Sequence, residues 1–190
     1  MVGKSSETVY FDEPGAQNTD ETLRLARIRA ERLGIRNIIV ASTTGSTGVK
    51  ASRVFDGYNL VVVTHVVGLR EPNVNEFLPK NCEVITNNGG NVVTAAHAFG
   101  TLGRAVHKKF GAVQIDEIIA NVLRIFGQGM KVACEVSCMA ADAGLVNVGE
   151  ESIGIGGSSS GADTAVVLTP SNTHTFFNTK VKEIICKPRL

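Results

Sequence analysis

The stretch NIIVASTTGSTGVKA, residues 37–51, joins a short apolar run to a loop of small polar residues. The run 38–40 is continuous and β-branched, which is typical of a strand buried on both faces of a parallel sheet. Residues 42–47, which follow it, are all serine, threonine or glycine. A helix is predicted next, near residues 46–56. A strand, a glycine-containing turn and a helix in this order predict the start of a βαβ unit.

A helix precedes this stretch, and further strands follow it. Apolar residues recur at helical spacing over residues 20–33, and Gly34 stands where a helix is expected to end. Short β-branched runs predict strands in YNLVVVTHV (58–66) and CEVITN (82–87). Strands that alternate with helices predict an open α/β sheet built from right-handed βαβ crossovers.

The middle of the chain is predicted to be helical, and its end returns to strands. The predicted helices span 92–109, with interruptions near Gly100 and Gly103, then 115–126 and 128–143. The last strands are predicted in ESIGIGG (151–157), DTAVVLTP (163–170) and VKEIICKP (181–188). Because no repeat, linker or low-complexity segment divides residues 1–190, we expect one three-layer α/β domain with helices on both faces of a mostly parallel sheet.

The composition is that of a soluble globular protein. The chain has 190 residues, of which 43% are hydrophobic and 19% charged, and its formal net charge is +1. A balanced charge gives no broad electrostatic footprint for nucleic acid or a membrane surface. No signal-peptide core is found, and the four cysteines form no C-x-x-C pair, so we expect buried free thiols and a cytoplasmic protein. No metal-ligand spacing is recognised.

Ligands of open α/β sheets bind outside the carboxyl ends of the strands, which directs attention to the loop 42–47. Glycine allows close approach of the backbone, a following helix presents free N–H groups, and hydroxyls add donors, so phosphate is the anion that this loop suits best. The loop is neither a Walker A motif nor a dinucleotide fingerprint. The alternative is a Ser/Thr-rich cap of the following helix. The candidate ligand residues are Ser42, Thr43, Thr44, Gly45, Ser46 and Thr47.

A second Gly/Ser loop lies in GIGGSSSGADTAVVL, residues 154–168. Ordering this much glycine and serine between apolar strands costs conformational entropy, which favours a ligand-binding purpose over a flexible surface hairpin. Two such loops in one domain are expected to face one ligand. The candidates are Gly156, Gly157, Gly161, Asp163 and Thr164.

Two further candidate pairs end predicted strands. Thr64 and His65 follow the second strand, where His65 is either an acid–base group or a hydrogen-bond partner of phosphate. Thr86 and Asn87 are expected to end the third strand, within TNNGGN, which equally suits a turn without ligand contact.

The sequence identifies no catalytic constellation. Glu135 interrupts an apolar helix, and Asp142 lies on nearly the same face seven residues later. A buried carboxylate needs a partner, so these residues are either proton carriers or members of a structural salt bridge or an interface. His65 and Glu135 are the catalytic candidates, with a cysteine as a further candidate proton carrier. No G-x-S-x-G elbow, H-E-x-x-H motif or acidic two-metal cluster occurs in the sequence.

The chain resembles the C-terminal domain of pyruvate kinase, and more closely the stand-alone archaeal and bacterial proteins of that domain family. The resemblance begins in DETLRLARIRAERLGIRNIIVASTTGSTGVKAS (20–52). It continues through VVVTHVVG (61–68), GMKVACEVSCMAADAG (129–144) and GADTAVVLTP (161–170), and so covers most of the chain. It implies that domain's fold, with antiparallel strands near the C-terminus. It also implies that the chain is no pyruvate kinase, because the catalytic barrel is missing.

The resemblance further implies a ligand. In some pyruvate kinases the corresponding Ser/Thr/Gly loop holds a phosphate of a sugar-phosphate effector, which implies phosphate contact by residues 43–47. The stand-alone proteins suggest a ligand of the size of flavin mononucleotide (FMN), with the loop 156–164 closing the site. The first hypothesis is therefore a binding protein for a phosphorylated small molecule, with FMN as the expected cofactor. The alternatives are a flavin-dependent oxidoreductase or phosphate-ester enzyme, and a regulatory or interaction subunit whose helix 128–143 packs on a second copy in a homo-oligomer.

Overall fold

The computed structural model describes residues 5–189, in which seven strands form one mixed sheet. Their order across the sheet is β1-β7-β6-β5-β2-β3-β4. The pairs β5–β6 and β6–β7 are antiparallel, and all other pairs are parallel, which confirms the predicted fold class. The strands are β1 (Val9–Phe11), β2 (Asn37–Ala41), β3 (Asn59–Val63), β4 (Asn91–Val93), β5 (Ser152–Gly156), β6 (Thr164–Thr169) and β7 (Lys180–Pro188).

The described residues form six α-helices: α1 (Thr19–Leu33), α2 (Ser46–Val54), α3 (Pro79–Asn87), α4 (Leu102–Phe110), α5 (Ile115–Arg124) and α6 (Gln128–Asp142). Helices α1, α2 and α3 pack on one face of the sheet, around a core that contains Leu23, Phe55 and Ile85. Helices α5 and α6 pack on the other face, where Met139 and Cys138 belong to the two core clusters. Helix α4 packs on α5 and has no buried residue.

The strand predicted over residues 82–87 is wrong, because these residues form the end of helix α3. Pro79 occupies the first turn of the helix, where its missing N–H and fixed φ are favourable. Only Ile85 is buried in this helix, and it packs in the core with Leu60 and Val62 of β3. The short run CEVI, residues 82–85, therefore lies on a half-buried helix. A run of only four residues is too short for its pattern to distinguish such a helix from a strand.

The helix predicted over residues 92–109 is also wrong in its first half. Residues Asn91–Val93 form the edge strand β4, which pairs with β3 in parallel register. A connecting segment follows, and helix α4 begins only at Leu102. The β-branched pair Val92 and Val93 favours a strand over a helix, and hydrogen bonding to the free edge of β3 stabilises the strand.

Helix α6 is an internal element of the chain. Twelve of its fifteen residues are buried, and it contacts β5, β2 and β6 as well as α5. The prediction that this helix packs on a second copy is therefore wrong, because the sheet and α5 already cover it.

All four cysteines are free, and three of them are buried as predicted. Burial raises the pKa of the Cys134 and Cys186 thiols to about 12 and that of Cys138 to about 11. Cys82 is half-buried in α3. Within residues 5–189, no three side chains of His, Cys, Asp or Glu are arranged to hold a metal ion. None of the helices in that range has the length and hydropathy of a membrane-spanning segment.

Candidate functional site

A cleft of about 380 Å³ lies at the edge of the sheet where the parallel strands end. The segments that follow β2, β3, β4 and β5 line it, and α6 closes one side. Its volume falls within the ~300–1,000 Å³ typical of small-molecule sites. It also lies where the topology of an open α/β sheet places a ligand.

The loop 42–47 forms one wall of this cleft, and it ends at the N-terminus of α2. Gly45, the residue before the helix, has φ +92°, and a Cβ there would lie 2.6 Å from Cβ of Asn81. A side chain larger than hydrogen is therefore excluded at this turn. Asn81 also fixes the loop, because its side-chain amide donates to the carbonyl of Thr44 at 2.8 Å.

The first turn of α2 retains two N–H groups for a ligand. The N–H of Gly48 donates to Ser42 Oγ at 3.2 Å, and that of Val49 donates to the carbonyl of Gly45 at 2.9 Å. The N–H groups of Ser46 and Thr47 precede these two, at positions where a helix offers no internal acceptor. Ser46 and Thr47 both line the cleft, so an anion there would meet the positive end of the helix dipole.

The cleft carries more positive than negative side chains. Four cationic residues line it, with only two carboxylates, and both carboxylates are already paired. Arg104 and Arg124 form no ion pair within the described part of the chain, although Arg124 is held by Gln128 and Asn121 at 2.7 and 2.8 Å. A second helix begins at the same place, since Gln128 at the start of α6 also lines the cleft. This electrostatic environment favours an anion.

Lys131 and Glu135 form a buried ion pair one turn apart on α6. Their side chains are only 8% and 7% exposed. Glu135 Oε1 also accepts the N–H of Phe99 at 3.0 Å. Burial lowers the pKa of Lys131, and the charge of Glu135 opposes that shift. Of the two functions left open for Glu135, the structure favours the structural salt bridge.

Three side chains from two loops form a hydrogen-bonded series in the cleft. Glu76 Oε2 lies 2.8 Å from His65 Nδ1, and His65 Nε2 lies 3.3 Å from Thr43 Oγ1. In the tautomer with a proton on Nδ1, His65 donates to Glu76 and accepts from the Thr43 hydroxyl. Glu76 is further held by Arg70, whose Nε lies 3.2 Å from Oε1. A hydroxyl, an imidazole and a carboxylate in this order form the arrangement that activates a nucleophile.

His97 is the second imidazole of the cleft, with its ring centroid 5.4 Å from that of His65. Its Nε2 accepts the N–H of Val66 at 3.2 Å, which orients the ring. The pKa of His97 is lowered, and burial of the imidazole is the largest cause of this shift. Nearby, the Thr64 and Thr94 hydroxyls lie 2.7 Å apart and join the ends of β3 and β4.

The Gly/Ser loop 157–161 follows β5, the strand that pairs with β2, and lines the cleft next to residues 42–47. Asp163 holds this loop from within the protein. Asp163 is fully buried, and its carboxylate accepts from the N–H of Ser158 at 3.1 Å, the N–H of Gly15 at 3.0 Å and the Thr164 hydroxyl at 2.9 Å. Its role is therefore to hold the loop. Gly156 lies against α6, where a Cβ would come 2.5 Å from the Gly129 carbonyl oxygen.

An apolar surface completes the cleft. Val132, Val136 and Met139 follow one face of α6 at helical spacing, and Val63 at the end of β3 and Leu69 also line the cleft. Gln128 and Met139 are eleven residues apart, so the cleft follows α6 for about 16 Å. The cleft thus offers a polar, cationic surface and an apolar one to the same ligand.

The structure brings most of the predicted site residues together. The cleft-lining members are Ser42, Thr43, Thr44, Ser46, Thr47, Thr64, His65, Glu135, Gly157 and Gly161. Gly45, Gly156, Asp163 and Thr164 lie behind this lining and shape it.

Thr86 and Asn87 are not brought to the cleft. They end helix α3, which runs from the carboxyl end of β3 back to the start of β4 at the opposite edge of the sheet. The Thr86 hydroxyl donates to the carbonyl of Cys82 instead. Asp142 also lies away from the cleft, where it accepts three hydrogen bonds from Asn172 and Thr173.

Outside the loop 157–161, sequence reasoning missed seven polar residues of the cleft. They are Arg70, Glu76, His97, Arg104, Arg124, Gln128 and Lys131. His97 follows β4 and would have been found by the strand-end rule if β4 had been predicted. Lys131 lies four residues before Glu135 in a predicted helix, and this spacing predicts an ion pair between the two side chains. No local sequence pattern indicated that Glu76, Arg104 and Arg124 would line a ligand site.

The part of the chain that forms the cleft matches a known protein family. Residues 20–168 match the family model described as pyruvate kinase, alpha/beta domain. The match covers most of the chain, and every residue that lines the cleft lies within it.

Proposed function

The chain belongs to the pyruvate kinase alpha/beta domain family, and from this premise we propose that it binds a phosphorylated small molecule in the cleft. The observation that carries the proposal is the excess of positive charge in the cleft. Arg104 and Arg124 have no carboxylate partner within residues 5–189, and they share the cleft with the free N–H groups of α2. Phosphate is the common anion that accepts both backbone N–H groups and guanidinium groups.

FMN is the ligand that we propose first. Its phosphate suits the N-terminus of α2 and the hydroxyls of residues 42–47, because these groups are all donors. Its planar, largely apolar ring system suits the surface formed by Val132, Val136 and Met139. The length of the cleft along α6, about 16 Å, suits a ligand with a phosphate at one end and a ring at the other. The residues present therefore fit the cofactor, which would supply redox chemistry when bound.

The first prediction concerns the affinity for FMN. The purified protein is expected to bind FMN about 10–100-fold more tightly than riboflavin, because riboflavin lacks the phosphate and each hydrogen bond to a charged group contributes about 1.5–3 kcal/mol. Arg124→Gln is expected to weaken FMN binding by a similar factor. Titration followed by flavin fluorescence and visible absorption measures both effects.

The matched control for Arg124 is Arg53→Gln, in the last turn of α2 and outside the cleft. It is expected to leave the affinity for FMN unchanged. A flavin spectrum that does not change with added protein would contradict FMN binding. Equal affinity for FMN and riboflavin would contradict the phosphate site.

The series of Thr43, His65 and Glu76 favours a second candidate function, an enzyme that cleaves phosphate esters. In this reaction Thr43 Oγ1 attacks phosphorus while its proton passes to His65 Nε2. The bond from phosphorus to the alcohol oxygen breaks, and His65 returns the proton to the departing alcohol. Water then attacks the phosphothreonine while His65 accepts its proton. The bond from phosphorus to Thr43 Oγ1 breaks, His65 returns the proton to that oxygen, and phosphate is released. Glu76 keeps the imidazole in the required tautomer and stabilises its charged form.

The second prediction tests this candidate with p-nitrophenyl phosphate. His65→Gln and Thr43→Val are each expected to lower the rate of p-nitrophenol release about 10²–10⁴-fold, the usual contribution of an acid–base group. His107→Gln is the control, because His107 also bonds a glutamate through Nδ1, at 2.7 Å from Glu117, but lies outside the cleft. Absence of turnover in the unmodified protein, or an equal loss in the control, would exclude this function and leave the binding proposal intact.

A further inference from the structure

Helix α5 has apolar side chains on two faces, of which the protein covers only one. Ile119, Ala120 and Leu123 turn inward and pack with the core cluster around α6. Ile115, Ile118, Val122 and Ile125 recur at spacings of three and four residues, within an arc of about 80°. These four side chains are 75%, 53%, 52% and 76% exposed. These residues widen the apolar surface of α5 well beyond the side that the core covers, and a helix with so wide an apolar surface is normally buried over more than one side.

The exposed surface extends beyond α5 onto its neighbours. Helix α4 has no buried residue, and α4 together with the segments that flank α5 adds four large apolar side chains to the surface. We call the combined surface the outer face. It consists of Leu102, Phe110, Val113, Ile115, Ile118, Val122, Ile125 and Phe126, each at least half exposed.

The area of the outer face is that of a protein interface. At roughly 100 Å² or more for each large side chain in this range of exposure, eight side chains present on the order of 800–1,000 Å² of apolar surface. This exceeds the ~300–600 Å² of the largest patch on a typical monomer. It matches the ~800 Å² that each partner contributes to a standard protein–protein interface.

We propose that the outer face is the contact surface between two copies of this chain. A symmetric dimer brings the same patch of both copies together, so one exposed surface is covered by another of equal size and apolarity.

Sedimentation velocity of the purified full chain tests the dimer. The unmodified protein is expected to sediment as a species of twice the 20.1 kDa chain mass over the micromolar concentration range. Ile118→Asp places a charge in the middle of the outer face and is expected to raise the dimer dissociation constant at least 100-fold, so that the monomer predominates. The control is Val148→Asp, because Val148 is 51% exposed on the segment between α6 and β5, and it is expected to remain dimeric.

Each result of this experiment decides the proposal. Loss of the dimer in Ile118→Asp with retention in Val148→Asp supports it. A monomeric unmodified protein overturns it, and so does a dimer that Ile118→Asp leaves intact. Ile125→Glu is the second variant if Ile118→Asp misfolds by circular dichroism, since Ile125 is the more exposed residue. Co-sedimentation of a monomeric protein with vesicles of anionic lipid would assign the outer face to a membrane and also overturn the dimer. The proposal does not depend on the ligand of the cleft.

Discussion

Replacement of Glu135 by glutamine is expected to lower the free energy of unfolding by about 3–5 kcal/mol, because it leaves the Lys131 ammonium buried without its counter-charge. Both side chains are less than a tenth exposed, so water cannot replace the lost partner. Chemical denaturation at neutral pH measures the effect. The double variant Lys131→Met with Glu135→Gln is expected to recover most of the loss, because glutamine still accepts the N–H of Phe99 and no buried charge remains.

The control for this prediction is a surface pair with the same spacing. Glu31→Gln breaks the ion pair with Arg27, whose side chain is 32% exposed, and is expected to cost at most about 1 kcal/mol. An equally small loss in Glu135→Gln would show that the α6 pair is solvated.

The loss in Glu135→Gln is also expected to depend on pH. Burial already lowers the pKa of Lys131 below its ordinary value, and removal of the carboxylate lowers that pKa further. The penalty for the charged ammonium is complete below the folded-state pKa and disappears as the pH rises toward the unfolded value near 10.4. The variant should therefore regain stability relative to the unmodified protein at alkaline pH.

Replacement of Asp163 by alanine is expected to lower the free energy of unfolding by about 2–5 kcal/mol. The carboxylate is fully buried and accepts the N–H groups of Gly15 and Ser158 and the Thr164 hydroxyl. Each buried donor left without an acceptor costs about 1–3 kcal/mol. Because the loop 157–161 depends on Asp163, ligand affinity in the cleft should fall as well. Thermal unfolding and the FMN titration measure the two effects.

The control for Asp163 is Asp142→Ala. Asp142 also accepts three hydrogen bonds, from Asn172 and Thr173, but it is exposed, so water replaces the lost acceptor. Its loss is expected to stay below about 1 kcal/mol. Similar costs for the two variants would contradict a supporting role for Asp163.

Much of the fold follows from local features of the sequence. The β-branched runs of β2 and β3 and the periodic apolar residues of α1 and α6 predicted those elements correctly. The Gly/Ser/Thr loops 42–47 and 157–161 were predicted to face one ligand because each follows a predicted strand, and both line the cleft. The short segments 82–87 and 91–93 were the exceptions, because runs of this length suit a strand and a half-buried helix equally well.

By itself, the sequence determined the elements and the two loops, because hydrophobic periodicity and turn chemistry act between residues that are close in the chain. Only the tertiary structure decided which polar residues meet. His65 reaches Thr43 because β2 and β3 end at the same edge of the sheet, and the segment between β3 and α3 folds back to bring Glu76 to His65. Arg104 and Arg124 enter the cleft because α4 and α5 pack near the start of α6. The outer face likewise emerged only once the inward side of α5 was known, since an apolar helix does not reveal from its sequence which of its faces the core covers.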